Sequence, residues 1–370
     1  MAWLCEAHKF LMAGPDDMSG LRARLDAGSI RAEDVVGIIA KTEGNGKVND
    51  FSRPFAHRSF TDLLSARLGT PAAEVDERVA FVMSGGCEGV ISPHATVFTR
   101  RRVDTAPATG AKRLSVSVAN TRALLPEEVG AIAQVELIAQ AVREAFAAAE
   151  LASLEDVHYV QVKCPLLTSE SINDAKARGK SVATEDTARS MGLANGASAL
   201  GVALGLGEIA GPLDPRAIGN DHSLYTLRGA SSSGIEMQRC QVLLMGNSAN
   251  AVGGYVCGHH MMDDLIDAEG VRKALRSVGI AVDGSLSEEG RARVVNVFAK
   301  GQIPVHGRVR GMRTTLLTDT DLNTRPSRAV LGAVVASVVG DPAIYASAGM
   351  SYHQGPVGAG VAAVVARIRE

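Results

Sequence analysis

Apolar residues along this chain gather into short unbroken runs of strand character, and three of those runs end on a lysine. They are VVGIIAK closing on Lys41, VHYVQVK on Lys163 and VVNVFAK on Lys300. Glu33-Asp34-Val35 precedes Lys41 at the spacing at which Glu155-Asp156-Val157 precedes Lys163, so the first two segments read as copies of one unit. The third, from Arg293-Val294-Val295, keeps the strand and the lysine without the acidic start. After each lysine comes a small-residue stretch with apolar positions at helical spacing, beginning near Phe55, Gly196 and Ala329. A long polar side chain stands at or just before each helical stretch: Arg53, Asn195 and Arg328. Each unit then closes on a Ser-X-Gly turn: Ser84-Gly85-Gly86, Ser232-Ser233-Gly234 and Ser347-Ala348-Gly349.

The pattern predicts an α/β chain of three units, 1–104, 112–249 and 255–370. Further helices are expected over Pro126–Glu150, where proline and two glutamates give a start signal, and over Asp263–Val278. Turn residues cluster in Thr99–Arg113 and Gly246–Gly254, which read as linkers, with Arg100–Arg102 a solvated linker face.

Composition narrows the function. A hydrophobic fraction of 46% over 370 residues is enough for real cores. The 38 Lys and Arg against 40 Asp and Glu leave no global field for nucleic acid or an anionic membrane, and aromatics at 4% offer little for base stacking. A small-molecule partner fits better. Cys5, Cys87, Cys164, Cys240 and Cys257 lie far apart without metal or redox spacing, which suits reduced thiols in a cytoplasm. Glu6, His8 and Lys9 interrupt the amino-terminal segment where a signal peptide needs apolar residues, and no long charge-free apolar run suggests a membrane span.

Lysine and serine recurring in one order is the candidate chemistry. A serine hydroxyl becomes a nucleophile when a base takes its proton, and a lysine serves as that base only when burial or a neighbouring cation leaves it neutral. Three lysines converging on one site would repel each other in that sense. Glycine beside the serine allows close backbone approach and frees N–H groups for an oxyanion. Strand-end lysines commonly snorkel to solvent and Ser-Gly pairs are common turns, but three ordered recurrences weigh against coincidence. On residues alone the three pairs are equal candidates.

Other motifs carry less. His259-His260 with Asp263-Asp264 resembles a metal cluster, yet adjacent histidines point apart on regular structure. His94 and His353 each follow a Ser-X-Gly segment, and local hydrogen bonding suits both better than a serine-histidine pair. The glycine-rich Lys41–Gly46 lacks the order of a phosphate loop.

The segments GIIAKTEGNGKVNDFSR (37–53), AFVMSGGCEGVISPH (80–94), VHYVQVKCPLLT (157–168), TEDTARSMGLANGASALG (184–201), RVVNVFAK (293–300) and HQGP (353–356) carry a resemblance to the cyanuric acid hydrolase and barbiturase family of ring-opening amidohydrolases. That resemblance implies three pseudo-threefold-related units forming a central β-barrel surrounded by helices, with one central site. It implies that each unit grips one carbonyl of a flat cyclic ureide: Arg53 with Ser84 and Gly85, Asn195 with Ser232 and Ser233, Arg328 with Ser347 and Ala348. It singles out Ser232 as nucleophile and Lys163 as its base, with Lys41 and Lys300 in support. It also implies no cofactor for the chemistry, a structural metal beside HQGP, and a homotetramer.

Several positions depart from the family pattern. Asn195 is barbiturase-like, whereas Arg328 is of the cyanuric acid type. Gln302 stands where a carboxylate is expected, which puts the metal in doubt, and Cys87 replaces a threonine. One extra residue lies between Ser347 and His353. The mixture implies retained chemistry on a cyclic amide that is neither cyanuric acid nor barbiturate. Either of those two substrates, and a non-catalytic ureide-binding role, are the alternatives.

Overall fold

Strands apolar along their whole length need cover on both faces. The computed structural model, which describes residues 1–304, 306–314, 323–349 and 352–369, supplies it with three mixed sheets and flanking helices. The first sheet runs Ala80–Gly85, Val35–Thr42, His94–Val103, Ala2–Leu11 in spatial order, and Ala251–Val252 adds to its outer edge. The second runs Gly229–Ser233, Val157–Cys164, Arg239–Ser248, Arg113–Ala123. The third runs Tyr345–Gly349, Val294–Gln302, Gly360–Arg367, Tyr255–Met262. One strand order therefore occurs three times, with the lysine strand always between a parallel and an antiparallel neighbour.

The serines sit on strands rather than in turns. Each serine strand pairs in parallel with its lysine strand, in a register that sets Lys41 beside Ser84, Lys163 beside Ser232 and Lys300 beside Ser347. Small residues there read as turn signals, yet their backbones are ladder-paired.

Period-two alternation then decides where these side chains go. Ile39, Tyr159 and Phe298 belong to a core shared by all three sheets, so Lys41, Lys163 and Lys300 share its parity. Val82, Ala230 and Tyr345 do the same for Ser84, Ser232 and Ser347. Phe298 is the hub of that core, with ring centroids 6.0 Å from Phe98, 5.9 Å from Tyr159 and 5.9 Å from Tyr345. The opposite faces take helices. Phe60 and Leu64 of helix Ser52–Leu68 meet Ile38 and Ala40; Ile138 and Val142 of helix Ile132–Ala148 meet Val160 and Val162. Leu331 and Val335 of helix Thr324–Val339 meet Val297 and Ala299.

Five expectations change. Among the described residues the three sheets do not close into one hydrogen-bonded barrel; they meet through side chains of the shared core. The first linker shrinks, because strand His94–Val103 runs through the arginines; Arg101 and Arg102 are exposed as expected, but Arg100 and Arg102 also lie 3.5 and 3.8 Å from the centroid of the Trp3 ring. The second linker is largely strand, Arg239–Ser248 followed by Ala251–Val252. Pro126–Glu128 forms one 3-10 turn, and Gly130, at φ 74°, separates it from helix Ile132–Ala148. The last expected helix is shorter, Ala268–Ser277, because Asp267 caps it by accepting from the Gly270 N–H.

Candidate active site

A cavity of about 510 Å³ opens where the lysine and serine strands end. It is lined by Lys163, Lys300 and Ser84, Ser232 and Ser347, with Arg53, Asn195, Arg328, Gly85, Ser233 and Ala348 beside them. Lys41 stands just behind, its Nζ donating to Ser84 Oγ at 3.3 Å. Every candidate position of the sequence reading is thus at this one place.

Helices deliver the long polar side chains, though not alike. Arg53 lies in the first turn of its helix and Arg328 at the start of the second turn of its own. Asn195 is in the third turn of helix Thr187–Leu206, not at a helix start. Asp186 caps that helix by accepting from Ala188 and Arg189 N–H, at 2.8 and 3.0 Å. Its glycines imitate breakers in sequence but serve close packing: a Cβ on Gly201 would stand 2.7 Å from Ile138 Cβ and 2.8 Å from the Val135 carbonyl oxygen.

The three lysines are not equivalent. Lys300 donates to Ser347 Oγ at 3.1 Å, and burial, reinforced by the Lys41, Arg328 and Lys163 charges, lowers its pKa to about 7. Burial lowers Lys41 to about 8. Lys163 instead donates to the Met83 carbonyl at 2.7 Å and the Ser233 carbonyl at 3.4 Å, and pairs with Glu236 Oε1 at 2.9 Å. Burial also lowers Lys163, opposed by Glu236. Burial would raise Glu236, but Lys163 and Arg53 outweigh it and hold the carboxyl below its usual range.

Stability should follow the lysines. Below about 7 the buried Lys300 carries its full penalty; above that the folded chain has lost the proton that the unfolded chain, at the ordinary 10.5, still holds. Lys300→Met should therefore raise Tm most near pH ~6, with the gain shrinking toward pH ~10. A gain constant across that range in paired melting curves would contradict the lowered Lys300 pKa.

Glu236 and Glu88 are the residues sequence reasoning passed over. Both stand four residues after a site serine, a recurrence legible in SGGCE (84–88) and SSGIE (232–236). Each serves the neighbouring unit: Glu236 lies 3.8 Å from Arg53 Nε, and Glu88 accepts from Arg328 Nε at 2.7 Å. The third unit has Ser351 at that position, outside the described residues, as is part of the segment with the extra residue. The unit lacking the carboxylate thus goes with a site lacking the third guanidinium, at Asn195.

Several polar atoms face this cavity without partners. Ser232 Oγ, Ser233 Oγ and Asn195 Oδ1 are buried and unpaired among the described residues. Such groups cost free energy until a ligand satisfies them. By contrast the two histidines are spoken for: His94 Nδ1 meets the Ser92 carbonyl at 2.8 Å, and His353 Nδ1 donates to the Leu224 carbonyl at 2.7 Å. In the glycine-rich loop, Gly46 N–H donates to Asp50 at 2.6 Å, so a carboxylate holds the place a phosphate would need. Cys87 is half-buried, its thiol raised to about 11 by burial.

Residues 6–367 match the family described as amidohydrolase ring-opening protein. The chain belongs to that family. Among relatives of this amidohydrolase, a cyanuric acid amidohydrolase of Enterobacter cloacae is 49% identical over 360 residues, covering 96% of this chain and 97% of that protein. A cyclic amide hydrolase of Azorhizobium caulinodans is 46% identical, covering 97% and 98%. A solved cyanuric acid hydrolase superposes with TM-score 0.94 at 44% identity, covering 99% of the amidohydrolase and 100% of that chain. A second, from A. caulinodans, gives 0.90 at 43%, covering 100% of both chains. No helix among the described residues of the amidohydrolase is long and apolar enough to cross a membrane.

Proposed function

We propose that the amidohydrolase opens a planar cyclic amide by acyl transfer to Ser232. The carrying observation is the unpaired, buried Ser232 Oγ in register with Lys163, where the equivalent serines of the other two units, Ser84 and Ser347, already accept from their lysines. Ser232 Oγ attacks a ring carbonyl and its proton passes to Lys163, its register partner. Lys163 takes that proton in its neutral form, which burial and the nearby Arg53 charge favour against the opposing carboxylate of Glu236, 2.9 Å away. Lys163 then protonates the departing ring nitrogen, and water releases the opened product from the acyl-serine. Ser84, Ser347 and the arginines hold the remaining carbonyls.

The three sheets, sharing one strand order, support a pseudo-threefold reading of the site. Its third corner differs. Asn195 presents an unpaired acceptor where a guanidinium would present only donors, so that ring edge should carry an N–H or another donor. A cyclic amide other than the symmetric ring named for the relatives fits this best. A panel of cyclic imides, followed by loss of ring absorbance, tests the reading. The best substrate should carry a donor at one edge, and Asn195→Arg should shift preference toward cyanuric acid by roughly tenfold or more. Unchanged preference in that variant would rule out Asn195 as the selective corner.

A second reading has its own support. Lys300, at about 7 and 3.1 Å from Ser347 Oγ, is a better-poised neutral base. Serine variants, taken up in the Discussion, separate the two.

A further inference from the structure

Gln302 closes the third lysine strand, buried, two residues past Lys300. Its Nε2 donates to three backbone carbonyls: Gln354 at 3.2 Å, Gly355 at 2.9 Å and Pro356 at 2.8 Å. All three neighbours are acceptors, so the amide must present its nitrogen. Carbonyl oxygens converging in this way make a small negative cradle, for which the usual occupants are an N–H donor or a hard cation.

The structural metal implied by the family resemblance does not fit here. The side chain facing the carbonyls is a donor, and a divalent ion of the hard class favours a charged oxygen ligand that Gln302 lacks. No group of three or more His, Cys, Asp or Glu able to hold an ion occurs among the described residues.

The clamped loop reaches the reacting end of the second unit. Gln354 Oε1 accepts from Ser231 N–H at 3.0 Å, and Gln354 Nε2 donates to Ser231 Oγ at 3.0 Å. Ser231 Oγ in turn donates to the Asn195 carbonyl at 2.9 Å. The His353 carbonyl accepts from Thr226 N–H at 2.9 Å, and its ring accepts from Gly219 N–H at 2.8 Å. Gly355 sits at φ 101°, and a Cβ there would stand 2.8 Å from Met261 sulfur, so the loop has little room to relax.

We propose that Gln302 is a positioning residue that does with an amide what a structural cation would do. It ties the carbonyls of residues 354–356 together and, through Gln354 and Ser231, sets Ser232 and Asn195. The kinetic half of this proposal rests on Ser232 as nucleophile; the metal half does not.

The test compares wild type, Gln302→Glu and Gln302→Ala, each treated with EDTA and then with millimolar Mg²⁺ or Ca²⁺, reading Tm, kcat and KM. Wild type should be indifferent to chelator and cation in Tm and turnover. Gln302→Glu without cation sets a carboxylate against three carbonyl oxygens; Tm should fall and kcat drop about tenfold or more with little change in KM. Added cation should restore both, because a carboxylate with three carbonyls is a hard-ion donor set. Gln302→Ala should lose kcat without rescue. A wild-type Tm that falls in EDTA and returns with cation would overturn the proposal, as would a Gln302→Glu protein indifferent to cation. Full kcat in Gln302→Ala at lowered Tm would overturn the positioning role. Failure of Ser232 as nucleophile would show separately, as turnover by Ser232→Ala, with the metal response intact.

Discussion

Ser232→Ala should abolish turnover, lowering kcat by roughly ten-thousand-fold or more while the protein still binds its ring substrate. Loss of the attacking atom leaves only binding and electrostatic contributions, and nucleophile deletions in acyl-transfer enzymes commonly cost that much. The change is structurally mild, since it removes one hydroxyl from a strand whose backbone stays paired with the Lys163 strand. Ser84→Ala and Ser347→Ala should behave differently. Each removes a hydroxyl that accepts from a lysine and is free to donate to the ring, a loss of about 1.5–3 kcal/mol in kcat/KM. The comparison is decisive between the two readings of the site. If Ser347→Ala is the dead variant and Ser232→Ala turns over within tenfold of wild type, the Lys300 pair carries the chemistry instead.

The second large effect concerns Lys163. Its side chain is fully buried, and Glu236 is buried with it at 2.9 Å. Lys163→Met removes the base and strands a carboxylate, whose remaining cation, Arg53, is 3.8 Å away. Breaking a buried pair on one side commonly costs about 3–5 kcal/mol, whereas replacing both partners costs far less. Lys163→Met should therefore be both inactive and clearly destabilised. Lys163→Met with Glu236→Gln should recover most of the Tm and none of the turnover. Thermal melts and single-turnover assays on the two proteins separate the roles. Recovered turnover in the double variant would remove Lys163 from the mechanism; an undiminished Tm in the single variant would show that the pair is not formed.

Much of the site was legible because strand periodicity is a strong signal. A lysine ending an apolar run that is buried on both faces has one direction to point, and three such runs point to one place. The pairing of lysine with serine was readable as order but not as register, since Ser84, Ser232 and Ser347 sit in small-residue segments that imitate turns. Asn195 was found by position but misjudged in setting. Glycines in helix Thr187–Leu206 lower helical propensity, and only contact with Ile138 explains their use. Glu236 and Glu88 were missed because their partners belong to other units, and no local pattern reports a contact from residue 53 to residue 236. The stacking of Arg100 and Arg102 on Trp3 was missed for the same reason: their partner lies nearly a hundred residues away in sequence.

The shared core around Phe298 has a further consequence for how a ring substrate is held. If the three corners were chemically identical, a flat ring could settle in any of three rotations, and each carbonyl would meet the nucleophile equally often. That degeneracy is harmless for a ring with threefold symmetry and wasteful for any other. Because one continuous chain supplies all three corners, each can vary alone, and here one carries Asn195 while the others carry Arg53 and Arg328. Such a site can fix the rotation of an unsymmetrical ring, and with it which bond opens and which isomer of the product leaves.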